Sequence, residues 1–180
     1  PFEGDYTKNS GARIEGVIVN GFRQISSSFP VTNMEELGKM KIRTPLNEVF
    51  VQLFKALGTN PTPLPATELY TALETKVVDG QDNPYSMVQS MGWYEVNKYM
   101  LESRHIFSPT FVLVNDKWYQ KLDDEAKGWF DTAMKNAVAY NWEISEADEG
   151  KTVDFLKSHG VTITIPTDEF KAQMVKASEP

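Results

Sequence analysis

The chain has 180 residues, enough to bury one hydrophobic core, and on length alone it allows one domain or the larger part of two. Apolar residues make up 41% and charged residues 24%, which excludes disordered, collagen-like and low-complexity chains. A net charge of −7 opposes binding to a nucleic-acid backbone, and the absence of cysteine removes disulfides, thiolate metal sites and thiol nucleophiles together.

No apolar run approaches the ~20 residues that span a bilayer, so the chain is not expected to be membrane-embedded. Absence of cysteine suits an oxidising compartment and the cytosol equally. The chain starts on Pro1 rather than Met, which predicts processing, such as signal-peptide removal, or trimming; residues 1–5 have neither the basic nor the apolar region of a signal peptide.

In chain order, residues 13–25 mix β-branched side chains with alternation and predict a strand, with Gly16 and Gly21 at bulge positions. Ser26, Ser27, Ser28 and Pro30 end it. Thr32 and Glu35 have capping-box spacing, predicting a short helix through Leu37 with Thr32 as its cap. Residues 41–43 read as a short strand. Val49, Phe50, Leu53, Phe54 and Leu57 then recur at helical spacing until Gly58.

Pro61, Pro63 and Pro65 hold the next segment extended, and Thr67 is placed to cap a helix carrying Leu69, Ala72 and Leu73. Val77 and Val78 resume as strand. Residues 79–84, Asp-Gly-Gln-Asp-Asn-Pro, read as a turn leading to a helix that starts at Pro84. Residues 98–101 and 111–114 are separate strand candidates, divided by His105 and Pro109, and residues 115–121 read as a short helix. A long helix follows from Asp123 to Ser158, with Trp129, Phe130, Ala133, Met134, Ala137, Tyr140 and Ile144 as a broad apolar stripe and Gly160 as its stop. A strand at 161–165 and a helix start at 167–175 complete the chain. Short strands alternating with amphipathic helices predict an α/β fold with a mixed, largely parallel sheet.

The residue inventory offers little to catalysis. His105 and His159 lie on separate elements and read as structural; no nucleophile-elbow, zinc-protease, phosphate-loop or dinucleotide pattern occurs, and metal-ligand spacing is absent. The carboxylate pairs Asp123-Asp124 and Asp148-Glu149 read as a helix cap and a solvated face. No catalytic residue, metal or cofactor is expected. Arg23, Arg43 and Asn83 stand out, because each falls at the end of a predicted strand beside a turn, where α/β sheets collect ligands.

Six motifs carry a resemblance: Gly21-Phe22-Arg23-Gln24; Lys41-Ile42-Arg43-x-Pro45; Leu57-Gly58-x-Asn60-Pro61-x-Pro63; Glu68-x-Tyr70-x-Ala72-Leu73; Val78-Asp79-Gly80-Gln81-Asp82-Asn83-Pro84; and Tyr94-Glu95-Val96-x-Lys98-Tyr99. In this order they resemble the DctP family, the solute-binding proteins of TRAP (tripartite ATP-independent periplasmic) transporters. The resemblance implies a periplasmic-binding-protein-like (type II-like) fold whose two domains close around an organic acid. Family members are longer, so residues 1–180 are expected to be a partial protein, mainly the second α/β domain with hinge segments and most of the first domain missing.

Carried over by motif, Arg43 is the principal carboxylate anchor, Arg23 a second cationic contact, and Asn83 an amide that hydrogen-bonds the same ligand. Arginine suits the role because its planar fork of donors fits a carboxylate edge and stays charged. Three departures bear on substrate. Ala66 stands where many members carry a bulky aromatic, Leu46 where sialic-acid binders carry an amide, and Asp82 where glutamate is commoner, a shortening expected to leave a water-filled gap. They disfavour sialic acid and leave four-carbon dicarboxylates, uronate-type sugar acids and other small carboxylates or keto acids. Glu68 and Tyr70 read as packing and hinge contacts. The implied partners are the ligand and the TRAP permease subunits, the implied location is the periplasm, and no nucleic acid is involved. The alternatives are a solute-sensing or surface interaction module on the same fold, and a small α/β enzyme, which would need a base or nucleophile beside Arg43.

Overall fold

A computed structural model describes residues 2–179, except the side chains of Phe2 and Glu146. The chain separates into two compact units. The first comprises the chain up to Gly21 with Ser108–Glu149, the second Phe22–Phe107 with the chain from Gly150 onward.

Two strands and one helix run through both. Strand β1 (Ala12–Ser27) continues from the first unit into the second, a long helix spans Asp124–Ser158, and a 17-residue strand covers Tyr99–Asn115. This last strand replaces the two separate strands expected. Pro109 does not break it: among the described residues the strand partner near the C-terminus pairs with Tyr99–Leu101 alone, so the later part has an edge there where a residue without N–H is tolerated. Arg104, at φ +45°, puts a local irregularity into it instead.

In the first unit, α1 (Phe2–Ser10) precedes β1, an element without an apolar period to announce it. The other helices follow in chain order: α2 (Met34–Gly38), α3 (Glu48–Ala56), α4 (Leu69–Glu74), α5 (Tyr85–Ser90), α6 (Asp116–Gln120), α7 (Asp124–Ser158) and α8 (Asp168–Ser178). The remaining strands are β2 (Lys41–Thr44), β3 (Asn60–Pro63), β4 (Gly80–Asn83), β5 (Tyr99–Asn115) and β6 (Thr162–Thr164).

Within the first unit, α7 lies on β1 by a seam narrower than the expected stripe. Phe130, Met134, Val138, Asn141 and Ser145 are half-buried at helical spacing, whereas Trp129 and Tyr140 are 67% and 63% exposed. Asn141 acts like a strand partner: the Val19 N–H donates to its Oδ1 at 2.7 Å and its Nδ2 donates to the Val19 carbonyl at 3.4 Å. Trp142 Nε1 donates to the Val17 carbonyl at 2.9 Å. Gly16 is the residue that admits the helix, since a Cβ there would sit 2.4 Å from Val138 Cγ2, so close approach rather than a bulge explains it.

The strand order is β3-β2-β4-β1-β5-β6. β2 pairs parallel with β3 and β4, β5 parallel with β6, and β1 antiparallel with β4, which makes the sheet mixed and largely parallel as expected. Two buried clusters flank it in the second unit. One gathers Ile25, Leu37, Ile42, Phe54, Leu101 and Phe170; the other gathers Leu69, Val78, Tyr85, Trp93, Met100 and Leu156.

Four local expectations are corrected here. Asn33, not Thr32, caps α2 by accepting from the Glu36 N–H at 2.9 Å, and Glu36 reaches back to the Thr32 N–H at 2.7 Å; the box is shifted one residue. Thr67 caps nothing, since a single 3₁₀ turn (Ala66–Glu68) feeds α4 directly. The turn-like run after Val78 is strand β4. Sheet pairing on both sides outweighs the turn preference of Asp, Gly and Asn, and Gly80 is needed because a Cβ would meet the Ser26 carbonyl at 2.2 Å. Val77 and Val78 precede it as loop, with Val78 buried. No helix among the described residues is long and apolar enough to cross a membrane.

Candidate ligand-binding site

Strand β4 carries the unusual chemistry. Gly80, Gln81, Asp82 and Asn83 are all buried in the middle of the sheet, in a position where apolar residues are the rule. Each polar side chain is therefore accounted for by a partner. Gln81 Nε2 donates to Ser26 Oγ at 2.7 Å, and Asn83 Nδ2 donates to Gln81 Oε1 at 2.6 Å.

Alternation and register sort the three sequence-predicted residues by face. Arg43 pairs with Gln81 and Asn83 with Gln24, so Arg43, Gln81, Asn83 and Ser26 share one face. Arg23 precedes Gln24 and therefore shares the opposite face with Asp82 and Ile25. Arg43 and Asn83 do lie near strand ends, Asn83 as the last residue of β4; Arg23 is four residues short of the end of β1.

The two guanidiniums are buried differently. Arg23, 5% exposed, donates through Nε to the Asp82 carboxylate and through Nη2 to the Asp82 carbonyl, and stacks over the Phe50 ring at 4.9 Å. Arg43, 4% exposed, donates Nε and Nη2 to a single acceptor, the Leu64 carbonyl, at 2.9 and 2.7 Å. Among the described residues no carboxylate lies within ion-pair distance of Arg43, and its Nη1 has no hydrogen-bond partner. Burial pulls the Arg43 guanidinium below its ordinary basicity, Asp82 opposes that, and Arg23 adds to it. It remains a cation held without a counter-ion of its own.

Asp82 is the residue the sequence undersold. Its carboxylate is fully buried; burial alone would raise its pKa, but the hydrogen bonds of His105 and Arg23 and their positive charge outweigh this and hold it below the usual carboxylate range. His105 Nε2 lies 3.4 Å from Asp82 Oδ2, its Nδ1 lies 2.7 Å from Ser103 Oγ, and its ring meets Phe54 edge-on at 5.5 Å. Asp82 Oδ2 takes both partners, while Oδ1 and, across the strand pair, Thr44 Oγ1 are buried without one. The spacing Ser103-x-His105 on a strand was the available signal, since alternation puts both side chains on one face.

Of the other positions singled out, Leu46 is 72% exposed and Ala66 is exposed. Tyr70 OH donates to Glu95 Oε2 at 3.0 Å, a packing contact joining two of the motifs, and Glu68 is exposed. His159 closes the end of α7, donating Nδ1 to the Phe155 carbonyl at 2.8 Å. Asp123 caps α7 by accepting from the Ala126 N–H at 2.8 Å.

Comparison with known proteins identifies the family. The profile of DctP, "bacterial extracellular solute-binding protein, family 7", matches residues 5–180. A TRAP periplasmic solute-binding protein from Haemophilus influenzae, solved with bound L-gulonate, is 38% identical with a TM-score of 0.92 over 97% of this chain and 58% of that one. The sugar-acid-binding protein DctPAm from Advenella mimigardefordensis, solved with galactonate, is 33% identical with a TM-score of 0.90 over 96% of this chain and 56% of that one. The sialic-acid-binding periplasmic protein SiaP of Vibrio cholerae is 32% identical over 82% of this chain and 46% of its own length. The chain thus spans about half the length of the curated relatives it matches, 54% in the case of a Haemophilus influenzae protein 38% identical to it. The chain belongs to the DctP family, the periplasmic solute-binding proteins of TRAP transporters, a family of binders rather than enzymes.

Proposed function

We propose that the protein binds a small organic acid through its carboxylate, with Arg43 as the anchor and Asn83 as a neighbouring amide donor, and delivers it to the membrane permease subunits of a TRAP transporter. The observation that carries this is the state of Arg43: a buried guanidinium held by one backbone carbonyl and lacking a carboxylate partner. Such a group is costly unless something anionic completes it, and a ligand carboxylate does so with directed, charge-assisted hydrogen bonds. Arg23 contributes positive potential and is already bonded to Asp82.

Hydroxylated sugar acids are the favoured class. Relatives solved with L-gulonate and with galactonate support it, and the apolar, exposed Leu46 offers no hydrogen bond of the kind the sialic-acid reading requires. Binding and release need no covalent step; closure around the ligand would exclude water and strengthen the Arg43 pair.

The test is calorimetric titration of the full-length protein with a panel of aldonates and uronates. Arg43→Ala is expected to weaken binding by about 30-fold to several thousand-fold, the equivalent of about 2–5 kcal/mol for removing one member of a desolvated pair. A change under about threefold would remove Arg43 from the anchor role.

A further inference from the structure

Pro61, Pro63 and Pro65 set rings at alternate positions beside the strand that carries Arg43. Among the described residues β3 lies at the end of the strand order and pairs with β2 alone, an edge where residues without N–H are tolerated. The pairing runs one step past the strand, because the Leu64 N–H donates to the Thr44 carbonyl at 3.1 Å. Leu64 thus lies between two prolines, opposite the residue that follows Arg43.

The Pro65 ring fixes two things at once. It holds its own φ at −57° and confines Leu64 to extended backbone, which sets the direction of the Leu64 carbonyl. That carbonyl takes both Nε and Nη2 of Arg43, at 2.9 and 2.7 Å, so the guanidinium is held in one plane. A 3₁₀ turn begins immediately afterwards at Ala66 and feeds α4. Without the ring, that turn can extend back through position 65 to Leu64 and carry the carbonyl off Arg43. We propose that Pro65 is a positioning residue for ligand binding: by locking Leu64 extended against the turn that follows, it aims the Leu64 carbonyl at Arg43 and presets the guanidinium before an acid arrives. This rests on the proposed anchoring role of Arg43. A long side chain ordered in advance loses no further freedom when the ligand binds, an advantage of about 2- to 10-fold in affinity.

The test is a double-mutant cycle, read by calorimetric titration of the full-length protein with galactonate. Pro65→Ala is expected to weaken binding by about 3- to 10-fold. In an Arg43→Lys background, which keeps the charge but has no fork to orient, the same substitution should cost less than about 1.5-fold. An equal cost in both backgrounds is the mark of a merely structural role and overturns the proposal. A second measurement needs no ligand: proton exchange at Arg43 Nε, followed by NMR and assigned by the loss of its signal in Arg43→Lys. The Nε–H bonded to Leu64 should exchange at least about threefold faster in Pro65→Ala than in the parent protein, and unchanged exchange overturns the proposal even where the lysine variant binds too weakly to titrate. An Arg43→Lys variant that binds galactonate as tightly as the parent defeats the anchoring role itself, a failure distinct from an Arg43-dependent site that is indifferent to Pro65.

Discussion

The two units are stabilised by different means. In the second, ten buried side chains form each of two apolar clusters on the sheet carrying β2 and β4. In the first, Tyr119 is the one buried large hydrophobic side chain among the described residues, and β1 meets α7 through a half-buried seam, the Asn141 and Trp142 hydrogen bonds, and the contact that Gly16 permits. A buried, partly unpaired guanidinium is held in place by surroundings that resist relaxation, and Arg43 lies in the unit that carries both clusters.

Substitutions can break or sharpen that contrast. Phe54→Ala, in the second unit's core and against His105, should cost about 3–5 kcal/mol by urea unfolding; a loss below about 1 kcal/mol would deny the cluster its role. Acid comes next. Because the folded-state pKa of Asp82 is lowered, its contribution to stability is fully present above the unfolded value near 4 and is lost as pH falls below it through the folded value. Deleting one partner of a buried pair costs about 3–5 kcal/mol, and protonation should cost less. The parent protein should therefore lose stability more steeply below about pH 4 than Asp82→Asn does; parallel pH profiles would contradict the buried pair.

Smaller effects belong to the first unit. Gly16→Ala forces a methyl into Val138, a stiff side chain, and should cost about 1–3 kcal/mol; pairing it with Val138→Ala should recover part of that loss, and no recovery would place the strain elsewhere. Trp142→Phe keeps most of the ring and removes the hydrogen bond to Val17. At this half-exposed position it should cost about 0.5–1 kcal/mol, and a larger effect would mean that the first unit depends on this clasp more than its exposure suggests.

How much the sequence revealed divides along the same physical line. Strands and helices with an apolar period, such as residues 13–25, the α3 stripe and the long helix, were legible because burial of one face dictates the pattern. β4 was not. Gln81, Asp82 and Asn83 carry turn-forming side chains, and only the tertiary pairing of β1 and β2 on either side makes them strand. The motifs singled out Arg23, Arg43 and Asn83 as candidates, but not that Arg23 is already matched by Asp82 or that Arg43 is tied to the Leu64 carbonyl, because both depend on segments distant in sequence.

The most direct test is a crystal structure of the full-length protein with galactonate bound. The account predicts the ligand carboxylate within about 3 Å of the Arg43 guanidinium, engaging the Nη1 that lacks a partner here, while Arg23 keeps its bond to Asp82. A carboxylate bound elsewhere, with Arg43 still held only by Leu64, would contradict it.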